Sequence, residues 1–285
     1  SSRLHRPAAP FLPIPPSRPP SAGPPIVDHS NPAQPVMTFD GLPSPDGVSC
    51  TGREVRVYPD TDAGTVEGIA TYLFRNTSGQ ARTAAFGINP GYKISAVKAN
   101  GVDTPFSAGD YQEYNEALLE VTVPAEEEIE LTVEYGGFPQ EDNSLSTMQG
   151  RQEISGEYIC LENADMAPRL INVSSEDGVI PVTVEITLPE HMTVIPFGTT
   201  EAERVSENGN GTAVWRYEDT GTGGILYAGD YIRQDIEAGG ITVQFYYGRR
   251  HREVMEAAGA ADAVKAVVDY CTEHYGTLSF GTGAT

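Results

Sequence analysis

The sequence predicts a mainly β protein: an antiparallel β-sandwich or large curved sheet, with one C-terminal amphipathic helix. Three observations predict it. Apolar and polar residues alternate in short runs from residue 36 to about 250, the period of a strand with one buried and one wet face. Turn residues separate those runs, and Gly and Pro are abundant, 30 and 22 of 285 residues, which favours short strands over long helices. Near the C-terminus the period changes to that of a helix.

Residues 1–35 hold 11 of the 22 prolines, as in Phe11-Leu12-Pro13-Ile14-Pro15-Pro16. Proline donates no backbone hydrogen bond, so this segment is expected to be an extended, disordered linker.

The β domain is expected over residues 36–250. Ile129, Leu131, Val133 and Tyr135 alternate with Glu130, Thr132 and Glu134. Val182, Val184, Ile186 and Leu188 alternate with Thr183, Glu185 and Thr187. Ala213, Trp215 and Tyr217 repeat the pattern, as do Ile241, Val243, Phe245 and Tyr247. Between such runs stand Asn89-Pro90-Gly91, Asn100-Gly101, the stretch Ser206 to Gly211, and Gly221-Thr222-Gly223-Gly224, all turn formers.

From Arg252 to His274 a single helix is expected. Val254, Ala257, Ala258, Ala261, Val264, Val267, Val268 and Cys271 recur at steps of three and four. Its apolar stripe has no local partner. It is expected to dock on the sheet or to belong to a following helical domain.

Charge excludes some classes of partner. Forty acidic residues against 18 basic ones leave a formal charge of −22. Nucleic acid needs clustered Lys and Arg, and an anionic membrane surface needs the same. The lysines are Lys93, Lys98 and Lys265 alone. No apolar run is long enough to span a bilayer, and the N-terminus lacks the apolar core of a signal peptide. The three cysteines, Cys50, Cys160 and Cys271, cannot all pair with one another. A Cys50–Cys160 bridge is one reading; buried free thiols are the favoured one.

Catalytic motifs are missing. His5, His29, His191, His251 and His274 include no H-x-x-x-H pair, so no H-E-x-x-H zinc helix is present. There is no phosphate-binding loop, no dinucleotide fingerprint and no G-x-S-x-G elbow. Asp60-Thr61-Asp62-Ala63-Gly64 comes nearest to a calcium loop and is read as a turn. No catalytic residue and no metal ligand is assigned. The sequons at Asn76, Asn172 and Asn210 do not imply glycosylation in a chain this rich in Ser and Thr.

Two acidic groups need weighing. Glu126-Glu127-Glu128 reads as a solvated turn. Glu157, Glu162 and Asp165 flank the apolar run Tyr158-Ile159-Cys160-Leu161. A carboxylate at the end of such a strand can receive a positive group; the plainer reading is a salt bridge to a nearby arginine such as Arg169.

The order of segments resembles a known family. Gly64 to Phe74, Ala85 to Asn89, the run Tyr92 to Gly101 ending in Asn-Gly, Leu119 to Pro124, and Ile129 to Gly137 follow one another. So do Pro181 to Pro189, Met192 to Gly198, Trp215-Arg216-Tyr217, Ile225 to Tyr231 and the Ile241 to Tyr247 strand. This order resembles the N-terminal β-domain of aminopeptidase N-like zinc metallopeptidases. The C-terminal helix and Tyr275 to Gly281 look like the first elements of that family's catalytic domain, here residues 251–285. The bacterial form fused to an ABC-type transporter permease is the variant most similar.

The resemblance implies a non-catalytic β-domain that shapes the substrate cleft and contacts the peptide N-terminus. Glu162 matches the family position that binds the free amine. The family's Cys–Asp–Pro portion is missing after Pro168-Arg169-Leu170-Ile171, which loosens that alignment. Zinc is expected in the absent catalytic domain and no cofactor in this chain, which is not expected to be an enzyme alone. The implied partner is a peptide, in the full-length protein; nucleic acid is not one, and membrane contact would come only through absent flanking segments. The implied location is extracytoplasmic. The rival reading is an extracytoplasmic ligand-binding β-sandwich module, such as a transporter ectodomain.

Overall fold

The computed structural model describes residues 42–110, 116–140, 153–175, 180–196, 201–219 and 225–276. The Pro-rich segment 1–35, the glycine turn 221–224 and the tail from residue 277 onward lie outside the described residues.

Among the described residues the strands follow in this order. β1 (Val48–Asp60), β2 (Thr65–Asn76), β3 (Arg82–Ile88), β4 (Tyr92–Ala99), β5 (Val102–Asp103) and β6 (Phe106–Asp110) come first. β7 (Ala117–Val123), β8 (Glu128–Gly137), β9 (Glu153–Ile154), β10 (Tyr158–Glu162), β11 (Arg169–Leu170) and β12 (Val182–Pro189) follow. β13 (Thr193–Pro196), β14 (Glu203–Glu207), β15 (Thr212–Asp219), β16 (Ile225–Gly229), β17 (Tyr231–Ala238) and β18 (Ile241–Gly248) complete the series.

The largest sheet has eight strands in the order β14-β15-β12-β1-β2-β8-β4-β5. Two four-stranded sheets, β13-β16-β10-β9 and β11-β3-β7-β6, complete the sandwich, and β17-β18 stands as a separate hairpin. The expected alternation sets the faces. Ile129, Leu131, Val133 and Tyr135 of β8 are buried, as are Val182, Val184, Ile186 and Leu188 of β12. Opposite them, Tyr72 of β2 meets Phe86 of β3 with ring centroids 4.9 Å apart. One apolar core runs through all three sheets. A fully buried side chain such as Leu131 contributes roughly 1.5–3 kcal/mol by leaving water.

Turns match the residues that predicted them. Asn100 at φ +50 and Gly101 at φ +78 make the two-residue hairpin turn between β4 and β5, where both central positions require positive φ. The acidic stretch Asp60 to Gly64 joins β1 to β2. Asp60 Oδ1 accepts the N–H groups of Asp62 and Ala63 at 3.0 and 2.9 Å, so this carboxylate closes a turn.

Four features depart from, or choose among, the sequence expectations. β1 pairs with β12 in parallel, Arg53 opposite Val182, within a sheet otherwise antiparallel. The helix is broken: α1 (Arg252–Ala257) and α2 (Ala260–Tyr275) are separated at Gly259, whose φ of +62 no helix contains. Apolar spacing continues across the break, so periodicity alone did not show it. None of the three cysteines forms a disulfide, and Cys50 and Cys160 are buried; burial pushes the Cys50 thiol up to about 11. Among the described contacts Arg169 bonds Glu116, and Glu157 of the acidic group pairs with an arginine, Arg250.

The helix docks on the hairpin. Cross-strand register places Ile232, Ile236 and Ala238 on one face with Tyr247, Val243 and Ile241. Lys265 Nζ donates to Glu237 O at 2.7 Å, and Gly239 N–H donates to Asp269 Oδ1 at 2.7 Å. A Cβ at residue 239 would lie 2.2 Å from Thr272 Oγ1, so glycine permits the close approach. Neither helix has a fully buried residue, and Val254, Val267 and Tyr270 remain exposed. Among the described residues no helix is long and apolar enough to cross a membrane.

Candidate functional site

The site is built on β10. Ile159 and Leu161 face the core with no exposed surface, so alternation turns Tyr158 and Cys160 to the opposite face, where Cys160 is also fully buried. β16 lies beside it, with Tyr227 opposite Cys160 and Ile225 opposite Glu162. Glu153 of β9 pairs with Cys160 from the other side. Glu162 is the last residue of its strand. The side chains of Glu153 and Glu162 lie outside the described positions.

An aromatic group covers the other end of this face. Tyr158 stacks on Tyr227 at 6.3 Å between ring centroids and meets the edge of Tyr231 at 6.5 Å. Burial pushes the Tyr158 hydroxyl up, and that of Tyr231 up to about 12. Both remain protonated at neutral pH, so each phenol can donate as well as accept.

After Glu162 the chain enters a short 3-10 turn, Asn163–Asp165, and residues 164–168 are gripped by the sandwich. Tyr92 donates to Asp165 O, Tyr135 to Met166 O and Tyr72 to Pro168 O. Tyr217 reaches Met166 Sδ at 3.7 Å. Asn89 Nδ2 donates to Asp165 Oδ1 at 2.7 Å. Tyr72, Tyr92 and Tyr135 rise from the eight-stranded sheet, and burial raises all three hydroxyl pKa values. They act as fixed donors that satisfy carbonyls which would otherwise be buried unpaired, at about 1–3 kcal/mol each. Residue 162 therefore leads directly into an anchored turn.

Arg169 closes the segment. It pairs with Gly87 in the β11–β3 register and donates through Nε and Nη2 to Glu116 at 3.1 and 2.9 Å. A Cβ at residue 87 would fall 1.6 Å from Glu116 Oε2, so glycine makes room for the carboxylate.

Of the acidic group singled out in the sequence, Glu157 pairs with Arg250 and Asp165 is held by Asn89. The tyrosine donors were missed, because inward tyrosines read as core aromatics. A tyrosine in a strand otherwise Val, Ile and Leu was the available signal, since its hydroxyl needs a partner when buried.

No three potential metal ligands cluster among the described residues. His191 contacts Gly156 O, His251 contacts Arg250, and His274 contacts Tyr270 O. The described residues therefore do not fit a zinc site, and no step is assigned to a metal here.

No protein-family model matches the chain, and no curated relative does either. Solved structures do. A mutant of the M1 zinc metallopeptidase from Deinococcus radiodurans, bound to a Tyr-Ser-Ala substrate, matches at TM-score 0.51 and 18% identity, covering 75% of this chain and 50% of that one. Yeast LTA4 hydrolase in complex with bestatin matches at TM-score 0.51 and 10% identity, over 86% of this chain and 36% of that one. The chain spans half or less of the length of these proteins. It shares its fold with part of them.

Proposed function

We propose that this chain is the non-catalytic N-terminal β-domain of an aminopeptidase-like zinc metallopeptidase. In this reading it walls one side of the substrate cleft and presents Glu162 to the peptide's free α-amine. One observation carries it: β10 ends at Glu162 in a turn anchored by tyrosines from the facing sheet. A carboxylate at the mouth of a fixed turn loses little freedom when it meets an ammonium group, which is what positioning requires.

Two further observations support the reading. The fold is shared with part of a zinc metallopeptidase bound to a Tyr-Ser-Ala substrate and with part of yeast LTA4 hydrolase in complex with bestatin. The exposed apolar residues of α1 and α2, Val254, Val267 and Tyr270, are suited to being covered by further helices of a catalytic domain. In the complete enzyme zinc would supply activation of water, from ligands that the described residues do not provide. An extracytoplasmic location belongs to the same proposal.

The test is enzymatic. The chain alone should bind no stoichiometric zinc and should not hydrolyse aminoacyl-anilides. A polypeptide extended through an H-E-x-x-H helix should do both. Chelator-sensitive turnover by the chain alone would refute the assignment.

A further inference from the structure

We infer that Asn210, at the tip of the β14–β15 hairpin, is a site of spontaneous deamidation through a succinimide. The fold selects it from three Asn-Gly bonds: Asn100-Gly101, Asn208-Gly209 and Asn210-Gly211. This inference is independent of the proposed peptidase role.

The reaction needs a free backbone nitrogen, an electrophilic amide carbon and an unhindered approach. Gly211 has φ +84, and nothing lies within 4 Å of where its Cβ would be. Its carbonyl is held by the N–H of Glu190 at 2.9 Å, while its own N–H makes no hydrogen bond among the described residues. The nucleophile is thus uncommitted.

The electrophile is activated. Asn210 Oδ1 accepts from the Thr212 hydroxyl at 2.7 Å and from the Thr212 N–H at 3.3 Å. Asn208 Nδ2 donates in turn to Thr212 Oγ1 at 3.0 Å, which polarises the hydroxyl further. Two donors aimed at one carbonyl oxygen stabilise the oxyanion that forms when the carbon is attacked. The Gly211 nitrogen gives its proton to solvent base and bonds to Asn210 Cγ. Nδ2 then takes a proton and leaves as ammonia, closing the five-membered imide. Water adds to either imide carbonyl and opens the ring to aspartate or isoaspartate. No oxidation or reduction occurs.

The other two bonds are restrained. Asn100 is held by both ends of its side chain: Oδ1 accepts the Glu130 N–H at 2.9 Å, and Nδ2 donates to Glu126 at 2.9 Å. Its own N–H donates to Glu130 O at 2.8 Å. The leaving amide of Asn208 is committed to Thr212, as is its backbone N–H, to Thr212 O at 2.9 Å. Conversion of Asn210 adds a carboxylate. In the isoaspartate product it also lengthens the backbone at the turn that sets β14, an edge strand with every residue exposed.

The experiment ages the wild-type chain at mildly alkaline pH, folded and in urea, and quantifies each Asn-Gly peptide by mass spectrometry. In the folded chain Asn210 should convert several times faster than Asn208 or Asn100. In urea the three rates should converge. Thr212→Val, which keeps the backbone donor and removes the hydroxyl, should slow Asn210 towards Asn208. The wild-type comparison holds all three bonds in one sample, so it stands whether or not the variant folds. Equal rates at Asn210 and Asn100 in the folded chain would overturn the inference.

Discussion

Arg169 and Glu116 form a two-pronged ion pair with side chains only 17% and 10% exposed. The pair lies at the C-terminal end of the turn that follows Glu162, and it ties that turn to β3 through the space left by Gly87. Removing one partner leaves the other charge buried. Arg169→Met should therefore destabilise the chain by about 3–5 kcal/mol, measured by urea unfolding. The double variant Arg169→Met with Glu116→Leu should recover much of that loss, because the Glu116 carboxylate is no longer buried without its guanidinium.

The tyrosine donors make a second prediction. Tyr135→Phe removes the hydroxyl that bonds Met166 O and should cost about 1–3 kcal/mol. Hydrogen exchange at residues 163–168 should accelerate more than exchange in β8 itself. Equal acceleration in both would mean that the hydroxyl does not anchor the turn.

The hairpin and helices should separate from the sandwich under salt. No residue of β17, β18, α1 or α2 belongs to the main apolar core. The links across the junction include Arg250 to Glu157, Arg233 to Glu201 at 3.0 Å, and the Tyr158–Tyr231 ring contact. Exposed ion pairs weaken as salt screens them. Thermal scans by circular dichroism should show the helical signal melting first, at a temperature that falls with added salt.

Asp269 provides a pH-dependent contact. The Gly239 N–H and then Lys265 hold its carboxyl below the usual range. A carboxylate with a lowered folded pKa stabilises above its unfolded value, near ~3.9. That contribution is lost as pH falls through the folded value. Asp269→Asn should loosen α2 from the hairpin at neutral pH. The difference from wild type should shrink as pH drops below about 4, followed by the helical signal.

Strand identity was legible where side chains alternate, as from Ile129 to Tyr135, because one face is buried and the other wet. The position of Glu162 at a strand end was legible for the same reason. Partner choice was not. The β1–β12 pairing is parallel and joins residues about 130 positions apart, and no local pattern encodes it. The pairing of Arg169 with Glu116 depends on the register beside Gly87, which no local pattern encodes. The break at Gly259 was hidden because apolar residues keep helical spacing on both sides of it.

The central claim is that the strand end at Glu162 receives a peptide's free amine. The direct measurement titrates the chain with a short peptide carrying a free N-terminus and with its N-acetylated twin, following backbone amide shifts by NMR. The free peptide should shift residues 158–165 and bind more tightly than the acetylated one, and Glu162→Gln should abolish that difference. Equal binding of both peptides, or a preference unchanged in Glu162→Gln, would contradict the claim.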